Sequence, residues 1–197
     1  MFVFFAGMIT YGIILNIREV TLKEAMAEKN LTELKNVYIV VNRKKYRLEL
    51  YSDSVLVKSY KAVFGKNFGT IKRSKDDYIT PIGDYYICSI DTMSKFTKFF
   101  RLSYPNEKDI TEAFRENWIT KSEFLLLQQS SKNNDCPSDS TAISANIGIH
   151  GMGRFNFIFK NLPFSFNWTN GSVSISDENI NEIYPIIKVG TRVSIVY

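Results

Sequence analysis

VYIVVNRKKYRLELYSDSVLVKSYKAVFG, residues 37–65, decides the fold class of this chain. Apolar and polar residues alternate along it on either side of two turn signals, the first of them at Arg43-Lys44-Lys45. Alternation with a period of two is typical of half-buried β-strands, whereas an amphipathic helix repeats its apolar residues every three to four positions. We therefore predict a β-meander over residues 37–65.

Further strands are predicted at residues 83–90 (GDYYICSI) and 146–151 (NIGIHG), and a last one at 189–197. Helices are fewer. One is expected at residues 106–118, with Asn106 as its N-cap. The other is expected at 176–187, capped by Ser176 or Asp177; its apolar stripe of Ile180, Ile183, Tyr184 and Ile187 has core spacing. We expect residues 37–197 to form one mostly-β domain.

The first 17 residues, MFVFFAGMITYGIILNI, carry no charge. As a helix they would measure about 25 Å, somewhat less than the roughly 30 Å hydrocarbon layer of a membrane. They also lack the basic start of a typical signal peptide. Three interpretations stay open: an uncleaved membrane anchor, a signal segment, or a helix docked on a soluble domain. Residues 18–36 are predicted to be a charged helical connector.

Composition narrows the function classes. The 197 residues carry a net charge of +5, but lysine and arginine are scattered and no nucleic-acid motif accompanies them, so we expect no nucleic-acid partner. A single histidine disfavours a zinc site, and no other metal or cofactor is expected. Cys88 and Cys136 are either a disulfide or one core residue and one loop thiol; spacing does not decide between them.

The single histidine, His150, ends the alternating run that begins at Ile147. Further on, Gly171-Ser172 opens a second alternating run. Acyl transfer needs a base within reach of a hydroxyl or thiol, together with backbone N–H groups aimed at the developing oxyanion. A glycine before the nucleophile lets a substrate carbonyl approach the backbone. Taken alone, this pattern is weak, and it favours a buried structural histidine and a Gly-Ser turn over a catalytic pair.

Residues 37–197 resemble the L,D-transpeptidase catalytic-domain family. Residues 69–87 are similar to its G-x-K…T-P-x-G-x-Y-x-I signature, and 101–114 resemble the S-Y-P-N-x-x-D segment of one branch. IGIHG at 147–151 is similar to its base-bearing motif, and 169–197 to its closing T-x-G-C segment. The signature positions here are Gly69, Lys72, Thr80, Pro81, Gly83, Tyr85 and Ile87.

The resemblance implies a β-sandwich or barrel-like domain with peripheral helices, and the uncharged residues 1–17 would precede it as a hydrophobic helix. It also implies acyl transfer on peptidoglycan stem peptides in the bacterial cell envelope, by a chain expected to be monomeric. His150 would be the base, oriented by the carbonyl of Gly151. N–H groups around Gly171 and Ser172 would hold the oxyanion, next to Thr169 and Asn170.

Ser172 stands where the family has its nucleophilic cysteine, and Ser174 and Asn170 also depart from common members. A thiol can rest as a thiolate beside an imidazole, but a serine hydroxyl must lose its proton during attack. Three explanations stay open: a degenerate stem-peptide-binding protein, a working serine variant, or an altered sequence of a cysteine enzyme. Hydrolysis is the alternative active outcome.

Two further stretches border the predicted site. Residues 114–144 look like an insertion and are either a lid or a cover over core surface. The aromatic run at 155–168 (FNFIFKNLPFSFNW) is expected to be packing rather than recognition.

Overall fold

The computed structural model of the chain describes residues 2–16, 19–132 and 135–197. Parts of the N-terminal and connector predictions therefore lie outside the described residues. Within these ranges the helices are α1 (Phe2–Asn16), α2 (Leu22–Glu28), α3 (Glu107–Arg115), α4 (Lys121–Lys132), α5 (Asn156–Lys160) and α6 (Asp177–Ile183). The strands are β1 (Val37–Asn42), β2 (Arg47–Ser52), β3 (Val55–Lys61), β4 (Gly83–Asp91), β5 (Phe99–Leu102), β6 (Gly148–His150), β7 (Val173–Ser174) and β8 (Arg192–Val196).

The eight strands form one sheet in the order β3-β2-β1-β8-β4-β5-β6-β7. The pairs β1–β8 and β6–β7 are parallel, and the others are antiparallel. Beyond β3, Val63 exchanges two backbone hydrogen bonds of 2.9 Å with Ser174 in β7, so the segment after one end strand bridges to the other end strand. The barrel-like alternative is therefore right: the sheet curls into a half-barrel, with helices around it.

The predicted meander is confirmed as β1, β2 and β3, which pair in antiparallel register. Its alternation places Ile39, Val41, Leu48 and Leu50 in the core, all fully buried. Arg43, predicted at a hairpin tip, is buried, whereas its neighbours Lys44 and Lys45 are exposed. Its guanidinium is drawn inward and donates to the carbonyls of Gly69 (2.7 Å) and Thr80 (2.8 Å). The first turn thereby holds the 69–80 segment.

Both predicted helices of the domain are present. Asn106 caps α3 through a reciprocal capping box with Asp109. For α6 the open choice is resolved in favour of Ser176, whose side chain accepts from the N–H of Asn179 at 3.2 Å. In the connector, α2 covers only residues 22–28, so the prediction is confirmed over that part.

Residues 114–144 share a small core with α3. Its buried side chains come from α3, the turn between α3 and α4, α4 and the loop that follows: Ile110, Ala113, Ile119, Leu127 and Ile143. A disulfide joins Cys136 to Cys88 in β4, which resolves the cysteine alternatives. Arg101 also donates to Pro137 O (2.6 Å) and pairs with Asp139. These contacts support the interpretation as a cover over core surface.

α1 packs against the domain through Gly12, where an added Cβ would lie 1.8 Å from the carbonyl oxygen of Asn161. No helix among the described residues has the length and apolarity needed to cross a membrane. The prediction that residues 155–168 are packing is wrong for much of the run. Phe157, Phe164 and Phe166 are at least half exposed, at 61%, 50% and 52%.

Candidate active site

The parallel pair β6–β7 brings the two halves of the predicted site together. His150 is opposite Ser174 in the register, and Ile149 is opposite Val173. Ser172 directly precedes β7, and its Oγ accepts from the N–H of Gly148 at the start of β6. Strand rise and spacing place the Cα atoms of His150 and Ser172 about 8 Å apart. Two residues whose numbers differ by 22 thus lie on neighbouring segments of the sheet.

His150 is almost fully buried, with 3% of its surface exposed. The ring of Phe96 stacks on it at 4.5 Å between centroids, with Phe99 at 5.7 Å and the edge of Trp168 at 5.8 Å. Burial lowers the pKa of His150 from its usual 6.5 to about 4, against the opposing hydrogen bond of the Gly151 carbonyl and the charge of Asp177. The imidazole is therefore neutral at physiological pH.

One nitrogen of the imidazole is already engaged. Nδ1 lies 2.6 Å from the carbonyl oxygen of Gly151, which can only accept, so Nδ1 carries the proton. The hydroxyl of Ser174 donates to the same carbonyl at 3.3 Å. In this tautomer Nε2 has the free lone pair that a general base needs. Ser174 thus helps to hold the Gly151 carbonyl that orients the imidazole.

Ser172 is 7% exposed, and its hydroxyl is bonded to the backbone before His150. Oγ accepts from the N–H of Gly148 at 3.2 Å and donates to the carbonyl of Asn146 at 3.5 Å. Among the described residues it makes these bonds rather than one to the imidazole.

The residues before Ser172 form a tight turn. Thr169 Oγ1 donates to the carbonyl of Ser172 at 2.6 Å and accepts from the N–H of Gly171 at 3.2 Å. The Gly171 N–H is therefore occupied in this structure, and its predicted donation to an oxyanion stays a prediction. The backbone N–H of Ser172 has no partner within the described ranges, and Asn170 is exposed.

Gly171 is at a position where only glycine fits without strain. Its φ is +117°, and a Cβ would lie 2.7 Å from the carbonyl oxygen of Ile79. The signature segment 69–87 therefore packs directly on the turn before Ser172. Within that segment the buried Lys72 ammonium pairs with Asp77 at 2.5 Å, and Asp77 also accepts from the N–H of Ile79 at 3.0 Å.

Asp177 supports the site in a way that sequence reasoning missed. Ser176 caps α6, so the Asp177 carboxylate is not the capping group. It accepts hydrogen bonds from the N–H groups of Met152 (2.7 Å) and Gly153 (2.9 Å). These amides directly follow Gly151. The available signal was an acidic residue five positions after Ser172, which the sequence interpretation assigned to capping.

A cavity of about 550 Å³ lies between α1, β3 and α6. Met152 and Ser176 line it, but neither His150 nor Ser172 does. It is therefore separate from the site of the histidine and the serine.

Comparison with known proteins identifies the family. A model of the L,D-transpeptidase catalytic domain matches residues 36–195. The chain belongs to the L,D-transpeptidase catalytic-domain family. None of the curated proteins compared with this L,D-transpeptidase-family chain matches it.

Two solved structures share the fold of this L,D-transpeptidase-family domain. Bd1075 from Bdellovibrio bacteriovorus is 20% identical, with a TM-score of 0.51, over 83% of this chain and 48% of that one. The helical cell shape determining protein Pgp2 from Campylobacter jejuni is 14% identical, with a TM-score of 0.52, over 89% of this chain and 55% of that one. The chain thus spans about half the length of these proteins.

Proposed function

We propose that this protein is a slow acyltransferase on peptidoglycan stem peptides in the cell envelope, with Ser172 as nucleophile and His150 as general base. The observation that carries the proposal is the neutral imidazole: burial lowers its pKa to about 4, and Gly151 holds its Nδ1, which leaves Nε2 as the proton acceptor. A serine needs such a base, since its hydroxyl is not ionised at rest. Family membership supports the substrate class.

In the proposed reaction, Oγ of Ser172 attacks the carbonyl carbon of the amide between the third stem residue and D-Ala. His150 Nε2 takes the hydroxyl proton and returns it to the departing amine of D-Ala, leaving an ester on Ser172. The N–H of Ser172 stabilises the oxyanion. An acceptor amine then attacks the ester and restores the hydroxyl; attack by water would give hydrolysis instead.

We expect this reaction to be slow for two reasons. First, Gly151 offers the imidazolium a backbone carbonyl, whereas serine hydrolases offer it a buried carboxylate. Second, the Ser172 hydroxyl is bonded to Asn146 and Gly148 and must turn from them to reach the imidazole. This second observation favours an alternative function, in which the groove binds stem peptides without cleaving them.

The test compares the chain with Ser172→Cys and Ser172→Ala on purified disaccharide-tetrapeptides, with products and acyl-protein followed by mass spectrometry. We expect slow turnover and a trapped ester with Ser172, a rate higher by roughly tenfold or more with Ser172→Cys, and none with Ser172→Ala. Both native cysteines are in the disulfide, so alkylation counts the new thiol alone.

Equal rates for Ser172 and Ser172→Ala would refute catalysis by this serine. If Ser172→Cys is also inactive while calorimetry still detects binding of the tetrapeptide, the binding-only function replaces the proposal. Absence of both turnover and binding in all three proteins would reject stem peptides as the ligand.

A further inference from the structure

Five large apolar side chains in residues 155–166 face solvent, and we call them the aromatic surface: Phe155, Phe157, Ile158, Phe164 and Phe166. Each is between 36% and 61% exposed. Phe155 and Phe166 are joined through Phe159, whose ring lies 5.4 Å from the first and 6.1 Å from the second. Phe157, Ile158 and Phe164 lie within three positions of these two along the chain. Concentrated exposed apolar area of this kind marks a contact site rather than ordinary surface.

The aromatic surface continues onto α1. Gly12 touches the backbone of Asn161, in the turn between the two halves of the surface. α1 has no charged residue and itself exposes Tyr11 (56%) and Ile14 (59%). An uncharged helix and an exposed aromatic turn thus meet at one edge of the domain.

Cationic groups border this apolar area. The guanidinium of Arg154 lies 4.7 Å over the ring of Phe155, and the ammonium of Lys61 donates to the carbonyls of Leu162 (2.7 Å) and Phe164 (3.3 Å). The exposed Lys95 adjoins Gly153. The acidic neighbour Glu178 is already bound by Asn156 and Lys160. An apolar area with a cationic border is complementary to a lipid layer with anionic headgroups.

We propose that the aromatic surface, together with α1, seats this domain on an anionic phospholipid bilayer. The phenylalanine side chains enter the interfacial layer, and the cations at the border meet the headgroups. Ring contacts connect this surface to the site: Phe159 lies 5.3 Å from Trp168, which lies 5.8 Å from His150. The bilayer would therefore adjoin the groove that holds His150. The proposal does not depend on acyl transfer.

The test is co-sedimentation of the full chain with vesicles of phosphatidylcholine and phosphatidylglycerol. The test variant replaces the three most exposed phenylalanines of the surface, and a matched control replaces three exposed apolar residues elsewhere, while α1 is intact in both. The test variant is Phe157→Ser, Phe164→Ser and Phe166→Ser; the control is Met93→Ser, Leu125→Ser and Val189→Ser.

We expect the test variant to lose at least about tenfold in vesicle partitioning and the control to stay within about twofold of the parent chain. Purely zwitterionic vesicles should bind the parent chain more weakly. Circular dichroism melts check that both variants fold. Hydrogen exchange of residues 155–166 in the parent chain should slow when anionic vesicles are added.

Undiminished partitioning of the folded test variant would overturn the proposal. So would protection of α1 alone, with residues 155–166 exchanging as before. If size exclusion shows a dimer of the parent chain that the test variant loses, with vesicle binding unchanged, the surface joins two copies of the chain and the lipid proposal is wrong.

Discussion

The carboxylate of Asp177 accepts a hydrogen bond from the backbone N–H of Met152 at 2.7 Å, two residues after His150. The preceding carbonyl, of Gly151, is the one that holds Nδ1 of the imidazole. The first turn of α6 therefore fixes the peptide that orients the histidine. In a serine hydrolase the carboxylate contacts the imidazole itself. Here the Asp177 carboxylate contacts the peptide group whose carbonyl oxygen holds the imidazole.

Replacing Asp177 by Asn tests this support. Asn keeps an acceptor for the two amides but removes the charge that raises the pKa of His150, so we expect that pKa to fall further below 4 and stability to drop by about 1 kcal/mol. Histidine NMR titration and urea unfolding measure both effects. The neighbouring Glu178→Gln, which removes the same charge nearer the surface, should leave the His150 pKa unchanged; equal shifts in the two variants would contradict a specific role.

His150 is the only histidine, so its C2 proton reports its pKa without assignment. We expect a midpoint near pH 4 in the folded protein. Between pH 6.5 and 4 the unfolded chain binds a proton that the native state does not, so stability should fall by about 3 kcal/mol as the pH drops through this window. His150→Gln should lack this part of the pH dependence. A folded-state midpoint near 6.5 would remove the basis for a neutral imidazole.

Gly171→Ala should destabilise the protein by about 2–4 kcal/mol, because φ is +117° and the new Cβ would press on the Ile79 carbonyl. Gly190→Ala is the matched control, with φ +90° and no atom within 4 Å of the added Cβ. It should cost only the backbone strain, about 1 kcal/mol. Similar losses in chemical denaturation would argue against close packing of the 69–87 segment on the turn before Ser172.

The Cys88–Cys136 disulfide closes a loop with a sequence separation of 48. Replacing both cysteines by Ala should lower the free energy of unfolding by about 2–4 kcal/mol, since the open loop has more freedom when unfolded. A reducing agent should destabilise the parent chain and leave the double variant unaffected. Finding two titratable thiols in the denatured, unreduced protein would contradict the linkage.

Some elements of the fold were predictable because their signals are local. Alternation over residues 37–65 predicts which side chains face the core, and β1 and β2 bury them as predicted. In β3 the pattern is broken, because Leu56 is exposed and Lys58 is buried. Asn106 caps α3 because its side chain needs only an amide three residues away. The short β5 has no such local signal, because four residues are too few to show a period.

The exposure of the aromatic run was wrongly predicted for a related reason. Apolarity indicates burial on average, but burial also requires another element to cover the side chain. Phe159 and Trp168 have such neighbours, whereas Phe157 and Phe166 face solvent.

The residue types at the candidate site can be read from the sequence alone: one imidazole, one Gly-Ser turn, and a hydroxyl where the family has a thiol. Tertiary structure alone decided that these groups meet where β6 and β7 pair, that the imidazole is neutral, and that Asp177 binds the amide next to the carbonyl that holds it. The physical reason is that register and burial arise between segments distant in the chain. No pattern within either segment encodes the dielectric surroundings or the hydrogen-bond partners that the other segment supplies.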